Sequence, residues 1–306
     1  MVWSNRCADG STGMNKTVVA ILLSLLALLM FDIMALVIKY LSPRYSAMEL
    51  SAWRNVFGLG PAAIALWSSS AWRGRGKPLI IRQWKLASFR GLCIALAQLS
   101  FYLSLGMMAF ATAATITYAN ALFMTALAVP ILGEKVGFLR WSAVMIGFAG
   151  VMMVVGPGRD AFSVAALLPL AAAFLYALAA VTSRLLDEDV PTPLANLYST
   201  GVAMVGSVIM ALVWGGFTPV TAWMDLFWLI LMGAVGGSAV LCLVTAYRMT
   251  EQSNLAPFSY FGIPLAFVLG WLTFDEAPWQ DLFPGAILIA AGGLIIIWRE
   301  RRLRRT

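Results

Sequence analysis

The chain has 306 residues, of which 61% are hydrophobic and only 11% charged, whereas a soluble domain carries about 25% charged residues. A soluble fold is excluded because the chain lacks the charged surface that water requires, so the lipid bilayer is the predicted surrounding. The net charge of +7 does not indicate nucleic-acid binding, since the basic residues cluster at the edges of apolar runs. With no histidine and three widely spaced cysteines, the sequence predicts neither a metal site nor a cofactor.

The first predicted element is a membrane helix at 18–41, which follows a polar tail at 1–17. This start resembles a signal peptide, but the apolar run continues past Asp32 and is long enough to span. Nine further spans are predicted at 47–67, 86–107, 110–131, 138–156, 163–184, 194–214, 225–247, 253–274 and 282–298. The third and fourth spans are divided because a single helix over 86–131 would be about 69 Å long. A tight turn is therefore expected near 108–111.

Lysine and arginine are distributed unequally between the two sides of this arrangement. With the N-terminus in the cytoplasm, sixteen of the 21 basic residues lie on the cytoplasmic side, and Lys39, Arg44 and Arg159 lie opposite. Cytoplasmic loops of membrane proteins are enriched in lysine and arginine. The sequence therefore predicts that the tails at 1–17 and 299–306 are both cytoplasmic. For a bacterial chain, the expected location is the inner membrane.

Two glutamates mark an internal repeat. Glu134 in "PILGEKVGFLRW" and Glu276 in "GWLTFDEAPWQD" are 142 positions apart. The same offset pairs Tyr118 with Tyr260 and Gly150 with Gly292. Because glutamate and tyrosine are rare in this chain, their coincidence indicates two related halves.

A second offset, of 145 positions, relates 31–41 to 176–186. Together the two offsets divide the chain into repeats at 18–156 and 157–298. Each half has an odd number of predicted spans, so the second half crosses the membrane upside down relative to the first. The predicted fold class is all-α integral membrane, with ten transmembrane helices forming two inverted-topology five-helix repeats around a central cavity.

The repeated motifs resemble those of the drug/metabolite transporter superfamily, in particular its EamA-type ten-helix carriers. The resemblance rests on "PILGEKVGFLRWSAVMIGFAGV", on "GWLTFDEAPWQDLFPGAILIAAGG" and on the arginine-bearing "MELSAWRNVFG", and it covers nearly the whole chain. It implies a secondary transporter, similar in detail to the bacterial exporters of aromatic amino acids. The second half departs from the pattern by having "FDE" where "LGE" is expected, and the sixth span lacks a tryptophan.

Two charged residues are candidates for substrate binding because charges are costly inside a membrane span. Asp32 in the first span and Arg54 in the second lie at similar depths below the same membrane surface. One interpretation is an ion pair that locks the two helices together. In the other, both residues face the cavity, where Arg54 takes a substrate carboxylate and Asp32 takes an amino group or a proton.

Polar and aromatic residues inside the spans are the remaining cavity candidates. Gln98 and Tyr102 share one helix face at i and i+4. The other candidates are Tyr118, Asn120, Tyr176 and Tyr260. Each tyrosine also suits ordinary core packing, but together they indicate an aromatic-walled, weakly polar cavity.

The two glutamates and two prolines have predicted structural roles. Glu134 and Glu276 are expected to cap the helices that follow them, where a negative charge suits a helix N-terminus. Pro257 and Pro264 interrupt the ninth span and are candidate hinges.

The predicted function is export of aromatic or other hydrophobic amino acids and related small metabolites by alternating access. One alternative within transport is a multidrug, quaternary-ammonium or nucleoside-type carrier of the same fold. A polytopic membrane enzyme is a distant alternative, because no set of catalytic residues is visible. The expected partners are a small-molecule substrate and the lipid bilayer, without nucleic acid, and no oligomer is required.

Overall fold

A computed structural model describes residues 10–74, 76, 79–80, 82–133, 137–155, 164–186, 190–249, 255, 258 and 260–303. Within these residues all regular secondary structure is α-helical. The helices are α1 Gly10–Leu41, α2 Ala47–Ser68, α3 Ser70–Gly74, α4 Trp84–Leu105, α5 Phe110–Thr117, α6 Asn120–Leu132, α7 Phe138–Val155, α8 Val164–Ser183, α9 Thr192–Val213, α10 Trp223–Met249, α11 Gly262–Phe274, α12 Trp279–Leu282 and α13 Gly285–Leu303.

The helices agree with a multi-pass membrane protein. Six helical segments of the described residues are long and apolar enough to cross a bilayer, and two shorter ones are apolar. The predicted spans coincide with helices to within a few residues over most of the chain, and α4 ends shortly before the expected turn near 108–111. The predicted fourth span is divided between α5 and α6, and the count of ten spans stays a prediction.

Helix α2 begins at a capping box that the sequence "SAME" encodes. The Ser46 side chain accepts a hydrogen bond from the Glu49 backbone N–H at 3.3 Å, and Glu49 Oε2 accepts one from the Ser46 N–H at 2.7 Å. Such reciprocal bonds satisfy N–H groups that have no partner inside the helix. The helix then continues through Pro61 to Ser68. This start fixes the register of the residues that follow, Arg54 among them.

Helix packing follows the repeat. Helix α1 packs against α10, and its counterpart α8 packs against α4, the counterpart of α10. Helix α2 likewise packs on α10, and α9 on α4, while α2 contacts α9 and α7 contacts α13. Exchanging the halves therefore converts the first four contacts into one another, and it converts the α2–α9 and α7–α13 contacts into themselves.

The closest helix contacts reproduce both sequence offsets. A Cβ placed on Gly91 in α4 would lie 2.6 Å from the Ser199 carbonyl oxygen of α9. A Cβ on Gly233 in α10 would lie 3.2 Å from the Arg54 carbonyl oxygen of α2. The two glycines are 142 positions apart, and their two partners are 145 apart. Small residues at these points let the helix backbones approach closely.

Helices α7 and α13 meet through a matching pair of contacts. A Cβ on Gly150 would lie 2.6 Å from the Gly285 carbonyl oxygen, and one on Gly292 would lie 2.7 Å from the Ala143 carbonyl oxygen. Each residue of the first contact is related to one of the second by 142 positions. The repeat identified from sequence is therefore also a repeat of packing.

Helices α6 and α11 end in the same way. Gly133 follows α6 with φ of 68°, and Asp275 follows α11 with φ of 55°, so both occupy the left-handed region. Glycine adopts this conformation freely, and aspartate is among the few other residues that tolerate it. The departure of "FDE" from "LGE" therefore preserves the helix ending.

Candidate functional site

All eight predicted cavity residues belong to the described part of the chain. Asp32, Arg54, Gln98, Tyr102 and Tyr260 are at most 7% exposed. Tyr118, Asn120 and Tyr176 are partly buried. These residues lie on α1, α2, α4, α6 and α8, in the turn between α5 and α6 and in the turn before α11, so both halves contribute.

Arg54 is a buried cation that is held from one side. Its Nη1 donates to the Asn55 side-chain oxygen at 2.9 Å, while its Nε has no hydrogen-bond partner. Tyr102 and Tyr176 both lie within electrostatic range of the guanidinium, and the Tyr102 hydroxyl has no partner of its own. Arg54 therefore keeps donor capacity in an aromatic environment, which suits a carboxylate.

Gln98 takes part in a buried network rather than standing free for a substrate. Its Oε1 accepts from Asn55 Nδ2 at 2.8 Å and from the Ser51 hydroxyl at 3.4 Å. Asn55 Nδ2 also donates to the Ser207 hydroxyl of α9 at 3.3 Å. Asn55 was missed from the sequence, although a second polar residue beside Arg54 in an apolar span was a usable signal.

Asp32 is a buried carboxyl group in the first span, and it makes no ion pair with Arg54. Among the described residues, the ion pairs are Lys39–Glu276 and Arg44–Asp225. The Oδ2 atom of Asp32 has no hydrogen-bond partner, and Tyr118 lies within electrostatic range of the carboxylate. The interpretation of Asp32 and Arg54 as a locking ion pair is therefore not supported by the geometry.

Two tyrosines mark equivalent breaks in the helices. Tyr118 lies in the turn between α5 and α6, and Tyr260 lies in the turn before α11. The Tyr118 hydroxyl occupies the space beside Gly262, where a Cβ would overlap it. Residues at such breaks can expose backbone groups to a solute, as in other transporters. The break at Tyr118 was not predicted from the sequence.

The predicted hinge prolines have different outcomes. Pro264 lies in the first turn of α11, where proline is tolerated because that N–H needs no partner inside the helix. It therefore marks the start of a helix and does not kink one. Pro257 lies outside the described residues.

Glu276 connects three helix ends. Its carboxylate accepts from Lys39 Nζ at 2.6 Å and from the Phe110 backbone N–H at 3.0 Å, and Lys39 also donates to the Met108 carbonyl at 3.0 Å. Glu276 therefore caps α5, in the other half, and the expectation that it caps the following helix was wrong. Glu134 lies outside the described residues.

Two further contacts join the halves at the same end. Asp225 accepts from Arg44 and, at 3.1 Å, from the Tyr45 hydroxyl. Glu49 accepts from the Thr218 backbone N–H. Burial and the hydrogen bond to Asp225 raise the pKa of Tyr45 above its ordinary value. We call this set, together with Lys39 and Glu276, the polar clamp, and it closes the bundle at the Lys39 end.

The repeat, the broken helices and the buried charges between the halves are features of secondary transporters. The EamA-like transporter family matches the chain twice, over residues 18–156 and 163–298. The chain belongs to this family, which is part of the drug/metabolite transporter superfamily. Its family and its apolar helices identify it as a multi-pass membrane protein.

Relatives extend the likeness without agreeing on one substrate. The chain is 26% identical to the S-adenosylmethionine uptake transporter of Rickettsia bellii, over 92% of this chain and 93% of that protein. It is 32% identical to a riboflavin transporter of Vibrio cholerae, over 57% of this chain and 58% of that protein. The chain thus matches little more than half the length of the riboflavin transporter.

A solved crystal structure shares the fold. It is 18% identical, covers 93% of this chain and 98% of its own, and superposes with a TM-score of 0.65. At this identity the likeness shows the fold alone. None of these relatives is named for aromatic amino acids, so the expected substrate is a proposal.

Proposed function

We propose that the chain is a secondary transporter that exports zwitterionic solutes with a ring, such as aromatic amino acids and related metabolites. The observation that carries this proposal is the buried guanidinium of Arg54 together with the buried carboxyl group of Asp32. Both are buried, each has a polar atom without a partner, and they do not neutralise one another.

Both side chains are costly to bury inside a membrane. A charge inside a membrane span costs at least about 2.5–3.5 kcal/mol, and such residues commonly mark a transport path. A structural role would be served by pairing Asp32 with Arg54, since a buried charge without a partner is strongly destabilising. A substrate that carries both a carboxylate and an ammonium group supplies the missing partners to both.

The site divides the recognition of such a solute among its parts. Arg54 offers N–H donors to the carboxylate, which guanidinium groups bind in a fixed geometry. Asp32 accepts from the ammonium group, and the rings of Tyr102, Tyr118 and Tyr176 pack against the apolar body of the solute. S-adenosylmethionine also carries an aminocarboxylate and a ring system, whereas riboflavin has no aminocarboxylate.

Alternating access completes the proposal. The two halves pack through repeated contacts, and the polar clamp joins them at the Lys39 end. With both termini in the cytoplasm, this end faces away from the cytoplasm. The proposed cycle opens the clamp to release the solute and closes it again before the next solute enters from the cytoplasmic side of the inner membrane.

A cation carrier is the second candidate. Asp32 and several tyrosines would also suit a quaternary ammonium ion, because aromatic faces attract cations. The buried guanidinium of Arg54 opposes this reading, since it repels a cation that brings no carboxylate. A nucleoside-type carrier would leave both charges unused.

The test is uptake of labelled phenylalanine into proteoliposomes, with competitors that differ in charge. Phenylalanine and S-adenosylmethionine should compete, whereas phenylalaninamide, 3-phenylpropionate and riboflavin should compete weakly. Equal uptake by protein-free vesicles would contradict transport of amino acids. Saturable uptake of a labelled quaternary ammonium ion that phenylalanine does not inhibit would establish the second candidate instead.

A further inference from the structure

Arg54 is connected to two other helices by a chain of uncharged side chains. Its Nη1 donates to Asn55 Oδ1, Asn55 Nδ2 donates to Gln98 Oε1, and the Ser51 hydroxyl donates to the same oxygen. A branch leads from Asn55 to the Ser207 hydroxyl at 3.3 Å. Asn55, Ser51 and Ser207 are fully buried, and Gln98 is 3% exposed. We call this set the amide relay.

We propose that Asn55 and Gln98 are positioning residues that hold Arg54 ready for a substrate carboxylate and so determine charge specificity. This inference rests on the proposed function and deepens it. Gln98 and Asn55 act through Arg54 and do not contact the substrate. The sequence prediction that Gln98 binds substrate is replaced by this indirect role.

The order of the hydrogen bonds supports this assignment. An asparagine amide has one oxygen acceptor and one NH₂ donor group. Because both Nδ2 contacts of Asn55 are acceptors on other helices, its Oδ1 must face Arg54. The relay therefore fixes one side of the guanidinium and leaves Nε without a partner.

The absence of charge in the relay is its main chemical feature. A carboxylate at position 55 would orient the guanidinium equally well, but it would also neutralise it. A neutral amide acceptor orients Arg54 and preserves its positive charge for a ligand. This is the property expected of a site that must attract a carboxylate from outside.

The second half does not repeat the relay. At the offset of 145 positions, Ser199 and Thr200 of α9 correspond to Arg54 and Asn55. The Ser199 hydroxyl bonds to backbone carbonyls, that of Ala195 in its own helix at 3.0 Å and that of Ala87 in α4 at 3.4 Å. The corresponding positions of the second half therefore carry no pair of guanidinium and amide, although the close helix contacts are repeated.

The test is the substitution Asn55→Asp. The new carboxylate keeps the acceptor for Arg54, and Gln98 can turn its amide to donate in return. We expect the KM for phenylalanine to rise about tenfold or more, since the added charge competes with the substrate carboxylate. The KM for phenylalaninamide, which lacks the carboxylate, should stay unchanged or fall.

Gln98→Leu and Ser207→Ala separate positioning from folding. Gln98→Leu frees the Asn55 side chain to turn, so the preference for phenylalanine over phenylalaninamide should fall. Ser207→Ala removes only the branch to α9 and should reduce this preference less. Thermal unfolding of each variant checks that it is folded. An equal loss of uptake for phenylalanine and phenylalaninamide would show a merely structural role and overturn the proposal.

Failure of the relay and failure of the proposed function have different signatures. A wild-type protein that takes up no phenylalanine contradicts the proposed substrate. The KM values are therefore also compared for S-adenosylmethionine and its decarboxylated form, which differ only in the carboxylate. If the wild-type protein takes up the solute and Asn55→Asp leaves the ratio of the two KM values unchanged, only the proposed role of the relay is overturned.

Discussion

The two halves of the molecule repeat their packing but not their charges. Gly91 and Gly233, like Gly150 and Gly292, make equivalent close contacts at the same offset. The interior charges do not repeat, since Ala177 corresponds to Asp32 and Ser199 to Arg54. The repeat therefore builds the scaffold, whereas the two proposed charged binding residues both lie in the first half.

The physical reason is that packing and binding make different demands. Helices in a bilayer associate through small residues that allow close approach, and an arrangement that interconverts two related states needs this in both halves. A zwitterion needs only one cation and one anion in the site. Each extra buried charge would add a desolvation cost without a further ligand group to offset it.

The largest effect is expected from Arg54→Gln, compared with Ser199→Ala at the corresponding position. Loss of a desolvated charge partner costs about 2–5 kcal/mol, so the affinity for phenylalanine should fall roughly 30-fold or more. Ser199→Ala should leave it within about twofold, because that hydroxyl bonds only to the backbone carbonyls of Ala195 and Ala87 and is not among the proposed binding residues. Uptake kinetics measure the affinity of both variants for phenylalanine. Similar losses of affinity would contradict the proposed difference between the halves.

Gly150→Ala and Gly292→Ala test the symmetry of the packing. Each new Cβ would meet a backbone oxygen at 2.6–2.7 Å, so both variants should lose about 1–3 kcal/mol of stability. Gly201→Ala is the control, since its Cβ would have open space. Thermal unfolding in detergent measures the loss of stability. If one of the two variants is as stable as the wild-type protein, the two contacts are not equivalent.

The polar clamp is tested by reversing charges. Glu276→Lys opposes Lys39 and should slow uptake about tenfold, because like charges at a contact cost of order 1 kcal/mol or more. Adding Lys39→Glu should restore the rate only partly, since a lysine at 276 cannot accept from the Phe110 N–H. Rates in proteoliposomes measure this, and a double variant no better than the single one argues against the ion pair.

The smallest effect compares the two tyrosines at the helix breaks. Tyr118→Phe removes a hydroxyl near Asp32 and should weaken binding of phenylalanine about fivefold, the value of a typical hydrogen bond. Tyr260→Phe removes a hydroxyl that has no partner, so a change of less than twofold is expected. Half-saturation constants for phenylalanine measure both effects. A larger loss of affinity in Tyr260→Phe than in Tyr118→Phe would contradict the expected order.

The sequence was sufficient where the signal is local or repeated. Apolar runs located most helices, and the offsets of 142 and 145 positions recur in the contacts of Gly91 and Gly150. The break at Tyr118 was missed because "TITYANAL" has no proline or glycine to mark it. The partners of Glu276 were missed because Lys39 and Phe110 lie far away in sequence, and only the folded chain brings them together.

We propose that a single site, which contains Arg54 and Asp32, is exposed alternately to each side of the membrane. Exchange in proteoliposomes tests it most directly, by comparing uptake of labelled phenylalanine into empty vesicles and into vesicles loaded with unlabelled phenylalanine. We expect saturable uptake that is accelerated by internal phenylalanine and not by internal phenylalaninamide. Uptake that does not saturate, or that is the same in empty and loaded vesicles, would contradict alternating access through this site.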